Sequence, residues 1–502
     1  MATRSGMEEV ELVEHDHDDH AAAPVDHVAR ARSAVRDRAR DGLGWILRHR
    51  VLAVATVVLA VVAVVVPAVL SARAERVRAE ALAGLPGVLE PMASAPAVAW
   101  TSPVPPNSWT LMSGDHAWVR DDVLVLWEQT GDATSSLRAL DARTGDELWT
   151  APLSSAPDLG DPANRSTNDR TTCSAPDAAP GEGIVVCLVI DSWELTASTD
   201  DAVPDLVEAA SVRLRTFAVA TGETLLDEPL GIDASVTRVG GDVVVAQSTS
   251  ADGPASLVRL DPSTGTERWS TDVPRPADGT GWPTPTVQWF GDELGVGWLG
   301  TTSLFTPDGE AAGQLDTDDV WPFRGHRLTP VGEGVAQLRD LDTGRVLDLG
   351  GARPRWFVTD DGSVPDVLVL ETEDRLIGRD LRTGQRAWQV DWPAERTLNV
   401  VVVDGMLARQ ADDGLTVLDL TDGTQLWHRS TSAYGQSIVT DGRRLLVIES
   451  VIGTGPVVAA YDARDGRRVW QVPIPSDIQS LAVVDHRLFG VGSGGVVALG
   501  TS

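Results

Sequence analysis

Lysine is absent from this 502-residue chain, and cysteine, tyrosine and phenylalanine are scarce, with two, two and six copies. Arginine therefore supplies all 41 basic residues, against 73 acidic residues, and the formal net charge is −32. A field of that sign repels phosphate backbones and attracts cations or basic protein faces. We therefore predict that the chain has no nucleic-acid partner.

Motifs for several common chemistries are missing as well. The sequence contains no Gly-x-Ser-x-Gly elbow, no His-Glu-x-x-His pattern, no Walker loop and no Cys-x-x-Cys pair, which argues against the enzyme classes built on them. The acidic run Asp316–Asp319 is too short for a calcium loop. The run His15–His20 resembles a metal-binding composition, but an unfolded acidic tail offers no fixed coordination geometry. We predict no metal site and no catalytic residue.

Only one long hydrophobic run is present, at Val51–Leu70. It carries no charge over twenty residues, and only Thr56 and Pro67 interrupt Ala, Val and Leu. A helix of that length matches a bilayer core of about 30 Å, and apolarity on all faces favours a transmembrane helix over a buried core helix. A cleavable signal peptide with a cut near Ala72–Ala74 is the alternative, but the leader and the apolar run are long for one.

Charges around this run predict its orientation. Seven arginines lie between residues 30 and 50, whereas the three arginines at 73–78 are balanced by Glu75 and Glu80. The positive-inside rule therefore places the N-terminus in the cytoplasm and the rest of the chain outside the cytoplasmic membrane. No cysteine lies near the run, which excludes lipoprotein processing.

A short phrase, Asp-x-x-Thr/Asp-Gly with Trp four residues after the Gly, recurs along the chain at intervals near forty residues. Self-similarity at this period indicates an array of supersecondary units. The complete copies are Asp141, Gly145 and Trp149; Asp261, Gly265 and Trp269; Asp380, Gly384 and Trp388; Asp419, Gly423 and Trp427; and Asp462, Gly466 and Trp470. Weaker copies keep the glycine but lack the tryptophan, at Gly222, Gly309 and Gly344.

The chemistry of the phrase explains why it repeats. The Asp carboxylate can accept hydrogen bonds from backbone N–H groups two or three residues on, and the Gly supplies the positive φ that closes the turn. The Trp can pack between neighbouring sheets, where its N–H needs a partner. Short apolar strands with hairpin signals such as Asp404-Gly405 and Asp441-Gly442 fill the spaces between phrases. Four antiparallel strands per unit make a β-propeller blade.

The last unit stops before its turn phrase, and Ala97–Val104 resembles the missing strand. We therefore expect the two ends of residues 97–502 to share one blade, which leaves no free sheet edge. Taken literally, the pattern gives eight complete units plus this composite. Because Val287–Leu349 is degenerate, we predict an all-β, eight-bladed propeller, within a range of seven to nine blades.

The phrase Ala-Leu-Asp-Ala-Arg-Thr-Gly-Asp-Glu-Leu-Trp at Ala139–Trp149 resembles the repeat of the PQQ-like (pyrroloquinoline-quinone-enzyme-like) β-propeller superfamily. That superfamily includes quinone-dependent dehydrogenases and non-enzymatic scaffolds, such as the lipoprotein that assists outer-membrane protein assembly. The resemblance implies that its enzymes use a metal held by Glu, Asn and Asp near the axis and a catalytic Asp, and often a disulfide between adjacent cysteines. We find no matching acidic set, and the fold alone does not choose between the two groups.

The two cysteines, Cys173 and Cys187, have thirteen residues between them, so the adjacent-cysteine ring cannot form. In an oxidising compartment they can pair and hold an insertion against its blade. Two buried free thiols are the alternative. We predict a disulfide.

These observations predict four segments: a cytoplasmic tail at 1–50, a transmembrane helix at 51–70, a helical stalk and linker at 71–96, and a PQQ-like propeller at 97–502. The predicted function is a non-enzymatic, membrane-anchored module that binds or scaffolds proteins of the cell envelope, without a cofactor. The insertions Ser154–Pro180 and Asp191–Glu208 are loops on the rim where a partner is expected to bind. A quinone-dependent dehydrogenase and a ligand-sensing ectodomain are the alternatives.

Overall fold

The computed structural model of the protein describes scattered positions between 59 and 85, and residues 87–500 except 93, 104–107, 112–116, 131–134, 155–164, 167–170, 175–182, 196–204, 232, 249–252, 277–283, 291, 318, 324–325, 332–336, 356, 358, 393–398, 412, 452 and 454. The chain divides into two compact units, Met1–Arg78 and Ala79–Ser502.

In the first unit, the positions described between 59 and 77 are helical, and their apolar side chains, such as Leu59 and Leu70, are exposed. Among the residues described, no helix combines the length and the apolar character that a membrane span requires. The predicted tail at 1–50 and most of the predicted transmembrane helix at 51–70 lie outside the described residues, so that prediction stays open.

The second unit is a β-propeller whose blades are sheets of four or five strands. We number the blades in chain order and count their strands outwards from the ring axis. Strands of blades 1 to 5 are as follows: blade 1, Ser108–Leu111, Ala117–Arg120, Val123–Thr130, Ser135–Asp141 and Glu147–Ser154; blade 2, Arg165–Ser166, Thr172–Ser174, Ile184–Leu195, Asp205–Ala218 and Thr224–Pro229; blade 3, Asp233–Val239, Asp242–Ser248, Ala255–Leu260 and Glu267–Val273; blade 4, Thr286–Trp289, Leu294–Trp298, Thr301–Phe305 and Ala311–Leu315; blade 5, Trp321–Phe323, His326–Val331, Gln337–Asp340 and Val346–Asp348.

Four further blades complete the described ring. Their strands are: blade 6, Arg353–Pro354, Val367–Glu371, Arg375–Asp380 and Arg386–Asp391; blade 7, Thr359–Asp360, Asn399–Val403, Met406–Ala411, Gly414–Asp419 and Gln425–Arg429; blade 8, Ala433–Thr440, Arg444–Val451, Gly455–Asp462 and Arg468–Pro473; blade 9, Ile478–Val484, Arg487–Gly492, Gly495–Gly500 and Ala97–Pro103. Neighbouring strands pair antiparallel, except Thr359–Asp360, which pairs parallel with Asn399–Val403.

Two hairpin turns recur at one end of most blades. The inner turn joins the first two principal strands, and in three blades both central residues have positive φ, as type I′ turns require: Asp121 and Asp122, Asp404 and Gly405, and Asp485 and His486. The repeat turn joins the last two strands and carries the Asp-x-x-Thr/Asp-Gly phrase. Because these two connections lie at the same end of the blade, the inner turns and the repeat turns share one face of the ring.

The described sheets number nine, so the predicted eight blades undercount the ring by one. The degenerate region folds as two full blades, 4 and 5, although neither keeps the Trp of the repeat on its outer strand. The composite blade then adds a ninth. Ala97–Pro103 pairs antiparallel with Gly495–Gly500, as expected from the sequence, and closes the ring.

Buried side chains between the blades form the core. Leu137 of blade 1 and Phe217 of blade 2, for example, are completely buried in one cluster. Similar clusters link each neighbouring pair except blades 4 and 5 in the described chain. Blades 4 and 5 are joined by polar contacts instead: the hydroxyls of Thr317 and Thr329 lie 2.9 Å apart, and Arg327 contacts Glu293 at 2.9 Å.

Candidate functional surfaces of the ring

The recurrent phrase of the repeat turns stabilises local structure. In the first copy, Asp141 Oδ1 accepts hydrogen bonds from the backbone N–H groups of Arg143 and Thr144 at 2.8 and 3.0 Å. Gly145 has a φ of 76°. The same acceptor role recurs at the other copies, namely Asp261, Asp380, Asp419 and Asp462. These carboxylates therefore cap turns.

Hydrogen bonding lowers the pKa of two of these carboxyl groups. The hydroxyl of Ser263 is the main reason that the pKa of Asp261 lies below its usual value, despite an opposing effect of burial. The backbone N–H of Thr383 lowers the pKa of Asp380 in the same way. Both turns therefore favour the charged carboxylate.

Tryptophans on the outermost strands of five blades each join that blade to the next one. Trp149 Nε1 donates to Val219 O at 2.9 Å, and its ring lies against Gly222, where a Cβ atom would be 2.5 Å from the indole. Both residues belong to the repeat turn of blade 2. Equivalent bonds run from Trp269 to Pro307 O, from Trp388 to Leu420 O, from Trp427 to Ala463 O, and from Trp100 of the closing strand to Ala142 O.

Trp470 is the exception among the complete copies. Its Nε1 atom is buried and has no hydrogen-bond partner in the described chain. The cause is the composite construction of blade 9, because Gly495–Gly500 and Ala97–Pro103 come from opposite ends of the domain. No repeat turn joins them, so the carbonyl that receives the other indoles is missing here.

A cavity of about 300 Å³ lies where blade 9, which contains both ends of the domain, meets blade 1. We call this junction the seam. Its apolar lining includes Met92, Trp100, Leu488 and Phe489, and its polar lining consists of Glu90, Arg143, His486 and Arg487. That volume is at the small end of the range for ligand sites. The cavity is bordered by the repeat turn of blade 1 on one side and the inner turn of blade 9 on the other.

Charged groups connect the two sides of the seam. Asp122 of blade 1 contacts Arg143 and also accepts a hydrogen bond from Arg487 of blade 9 at 2.8 Å. The bond from Arg487 is the main reason that the pKa of Asp122 lies below its usual value. His486 Nδ1 lies 2.7 Å from Val88 O, and because a carbonyl only accepts, Nδ1 is the donor of this hydrogen bond.

A second surface is the long hairpin of blade 2, here called the arm, which consists of Ile184–Leu195 and Asp205–Ala218. These strands have 12 and 14 residues, whereas the equivalent strands of the other described blades have four to eight. At about 3.3 Å per residue, the arm is about 40 Å long. It projects from the face opposite the repeat turns, because it connects the second and third strands of its blade.

The predicted disulfide is present at the base of the arm. Cys173 and Cys187 are bonded to each other and face one another across paired strands of blade 2. Both residues are buried in the cluster that joins blades 1 and 2. The bond therefore holds the inserted strand Thr172–Ser174 against the arm.

The described residues do not fit the metal that the quinone enzymes need. Across the described ranges, no group of three or more His, Cys, Asp or Glu side chains is placed to hold a metal ion. The Asp side chains of the repeats are occupied as turn acceptors. We therefore assign no reaction step to this ring.

Sequence reasoning located the repeat residues but missed the seam. Asp122, His486 and Arg487 lie outside the repeat phrase, and the sequence predicts only a helical stalk and linker at 71–96. In the structure, Val88, Leu89 and Met92 of that segment are buried against blades 7 to 9. Three large apolar residues within five positions of a Pro-rich stretch were the available signal.

The second half of the ring resembles a known protein family. Residues 334–501 match the family model described as outer membrane protein assembly factor BamB. The matched part of the chain therefore resembles the PQQ-like β-propeller superfamily. The matched segment begins in blade 5 and ends just after Gly495–Gly500 of blade 9. The comparison with curated proteins yields no match.

Among solved structures, BamB from Moraxella catarrhalis is 14% identical with a TM-score of 0.37, over 80% of this chain and 99% of that one. The computationally designed Ika8 protein is 13% identical with a TM-score of 0.37, at the same coverage. Quinohemoprotein alcohol dehydrogenase from Comamonas testosteroni is 13% identical with a TM-score of 0.40, over 84% and 79%. No activity or partner transfers to this chain at such values.

Proposed function

We propose that this protein is a membrane-anchored propeller outside the cytoplasm that binds another protein of the cell envelope and catalyses no reaction. The arm carries this proposal, because it is a long hairpin held on a rigid ring. Surfaces of that kind serve binding, whereas the ring core serves packing.

Two observations support a location outside the cytoplasm. The apolar run Val51–Leu70 and the arginines before it predict a span with the N-terminus inside. The disulfide between Cys173 and Cys187 is independent of that pattern, and such bonds persist mainly in oxidising compartments.

Charge favours a basic partner. The sequence of residues 191–210 contains six acidic residues and no basic residue, within a chain of net charge −32. Opposite charge on a partner would speed the encounter and would make binding weaken with salt. A basic envelope protein is therefore the partner we propose for the arm.

Site-specific crosslinking in intact cells tests this proposal. A photoreactive residue replaces Glu194 in the arm or, as the matched control, Thr421 in a repeat turn on the opposite face. We expect position 194 to capture a discrete envelope protein, and Thr421 to capture none or a different one. A second variant neutralises the acidic residues of 191–210 as Asn and Gln without shortening the arm, and we expect it to reduce capture severalfold.

Two results would contradict the proposal. Equal capture from both positions would remove the arm as the binding surface. Dye reduction by the purified protein after addition of quinone and calcium would instead support the dehydrogenase alternative.

A further inference from the structure

One hydrogen bond recurs at the turn face of the ring. The backbone N–H of the second residue in each repeat turn donates to a carbonyl at the inner connection of the same blade. The pairs are Ala142 to Asp122, Val219 to Gly183, Leu341 to Arg327, Leu381 to Asp366, Leu420 to Gly405 and Ala463 to Arg443, at 2.7 to 2.9 Å. Blades 3 and 4 have Pro262 and Pro307 at this position, and proline has no N–H to donate.

Blade 9 has no repeat turn, yet this bond is present. Glu90 N–H donates to His486 O at 3.0 Å. His486 matches Asp122 of blade 1, because each is the second positive-φ residue of an inner turn and follows an Asp with positive φ. Glu90 therefore takes the place that Ala142 or Ala463 takes in other blades, although it precedes the propeller in sequence.

We infer that residues 87–92, here called the latch, substitute for the missing repeat turn of blade 9 and hold the ring closed at its seam. The latch crosses three blades. Gly87 O accepts from Thr359 of blade 7 at 3.3 Å, and Leu89 N–H donates to Thr440 O of blade 8 at 2.8 Å. Met92 N–H donates to Asp441 Oδ2 at 3.1 Å.

Burial supports the same role. Val88, Leu89 and Met92 are 1%, 4% and 7% exposed. Leu89 and Met92 share an apolar cluster with Leu488 and Leu499 of blade 9, and Trp470 packs against it. The latch thus packs against the apolar cluster between blades 8 and 9.

The latch replaces only part of the missing repeat turn. The latch supplies the recurrent hydrogen bond but no carbonyl for Trp470, and the cavity of about 300 Å³ lies between the latch and the repeat turn of blade 1. Displacing the latch would therefore widen an existing cavity lined by Trp100 and Phe489. The chain enters the propeller through the latch, so a force or binding event on the preceding segment acts on ring closure.

Hydrogen exchange of the full-length protein in detergent tests the latch. Glu90→Pro removes the N–H that bonds to His486, and Glu90→Ala keeps it and changes only an exposed side chain. Loss of a single hydrogen bond of typical strength corresponds to about fivefold in an opening equilibrium. We expect about fivefold faster exchange in Ala97–Pro103 and Gly495–Gly500 for Glu90→Pro, with Glu90→Ala close to wild type.

Leu89→Ala serves as a second variant if Glu90→Pro fails to fold. This change keeps the backbone hydrogen bonds from Leu89 to Thr440 and from Glu90 to His486 but weakens packing. We expect faster exchange in the same two strands. Blade 3, represented by Asp242–Ser248, should be unchanged in all variants. Equal rates for Glu90→Pro and Glu90→Ala would overturn the inference, and so would a uniform increase that includes blade 3. These results are independent of whether the arm binds a partner.

Discussion

At the scale of single residues, the ring depends on close contact between a glycine and an indole. The glycine of a repeat turn has positive φ, and where the preceding blade ends in a Trp, the glycine also lies directly under that indole. Gly466 and Trp427 are one such pair, where a Cβ atom would be 2.6 Å from the ring. Conformational freedom and lack of a side chain are therefore separate requirements at this position.

A comparison of Gly466 with Gly344 tests the two requirements separately. Gly466 and Gly344 both have a φ of 68°, but a Cβ atom on Gly344 would meet nothing within 4 Å. Backbone strain should cost about 1 kcal/mol in either alanine variant, and the clash with Trp427 should add about 1–3 kcal/mol only in Gly466→Ala. Unfolding in denaturant measures the loss of stability in each of the two variants. Equal losses would show that the indole contact does not constrain the turn.

At the scale of the blade, the Asp-capped turn is the element that the sequence repeats. Its carboxylate organises two backbone N–H groups next to the glycine, so the turn forms from five consecutive residues. This explains why the turns were predictable: every group that determines them is local. The missing Trp in blades 4 and 5 removes the marker of a blade without removing its strands, and for this reason the blade count fell short.

Acid should weaken these turns. The native pKa of Asp380 is lowered, chiefly by the backbone N–H of Thr383, so its stabilising effect is present above the unfolded pKa near 3.8 and is lost as pH falls through the native value. We expect Asp380→Asn to be less stable than wild type at pH 7 and to approach it at pH 3. Urea midpoints across this range provide the measurement. A constant difference between the two proteins would contradict the assignment.

At the scale of the whole molecule, closure decides the architecture. Nine blades require that the two ends of the domain meet at the seam. It has a cavity, a latch from before the propeller and an ion pair between Asp122 and Arg487. The arm projects from the opposite face, so closure and the proposed binding surface are separated.

Topology of the whole chain can be measured with introduced thiols. Cys173 and Cys187 are bonded to each other, so neither competes for a maleimide. A membrane-impermeant maleimide should label Thr421→Cys, at an exposed repeat-turn position, in intact cells with a permeable outer envelope. It should label Ser5→Cys only after lysis. The reverse pattern would place the propeller in the cytoplasm and end the envelope proposal.

Local patterns in the chain were enough to predict the propeller, the turn chemistry, the pairing of its two ends and the disulfide, because each rests on periodicity or on a few recognisable residues. The ninth blade, the latch and the seam cavity emerged only from the folded ring. Their contacts join residues far apart in sequence, such as Val88 and His486 at a separation of 398. Such pairs form because closure brings the two ends of the domain together. The linker before the propeller contains no repeat from which these contacts could be predicted.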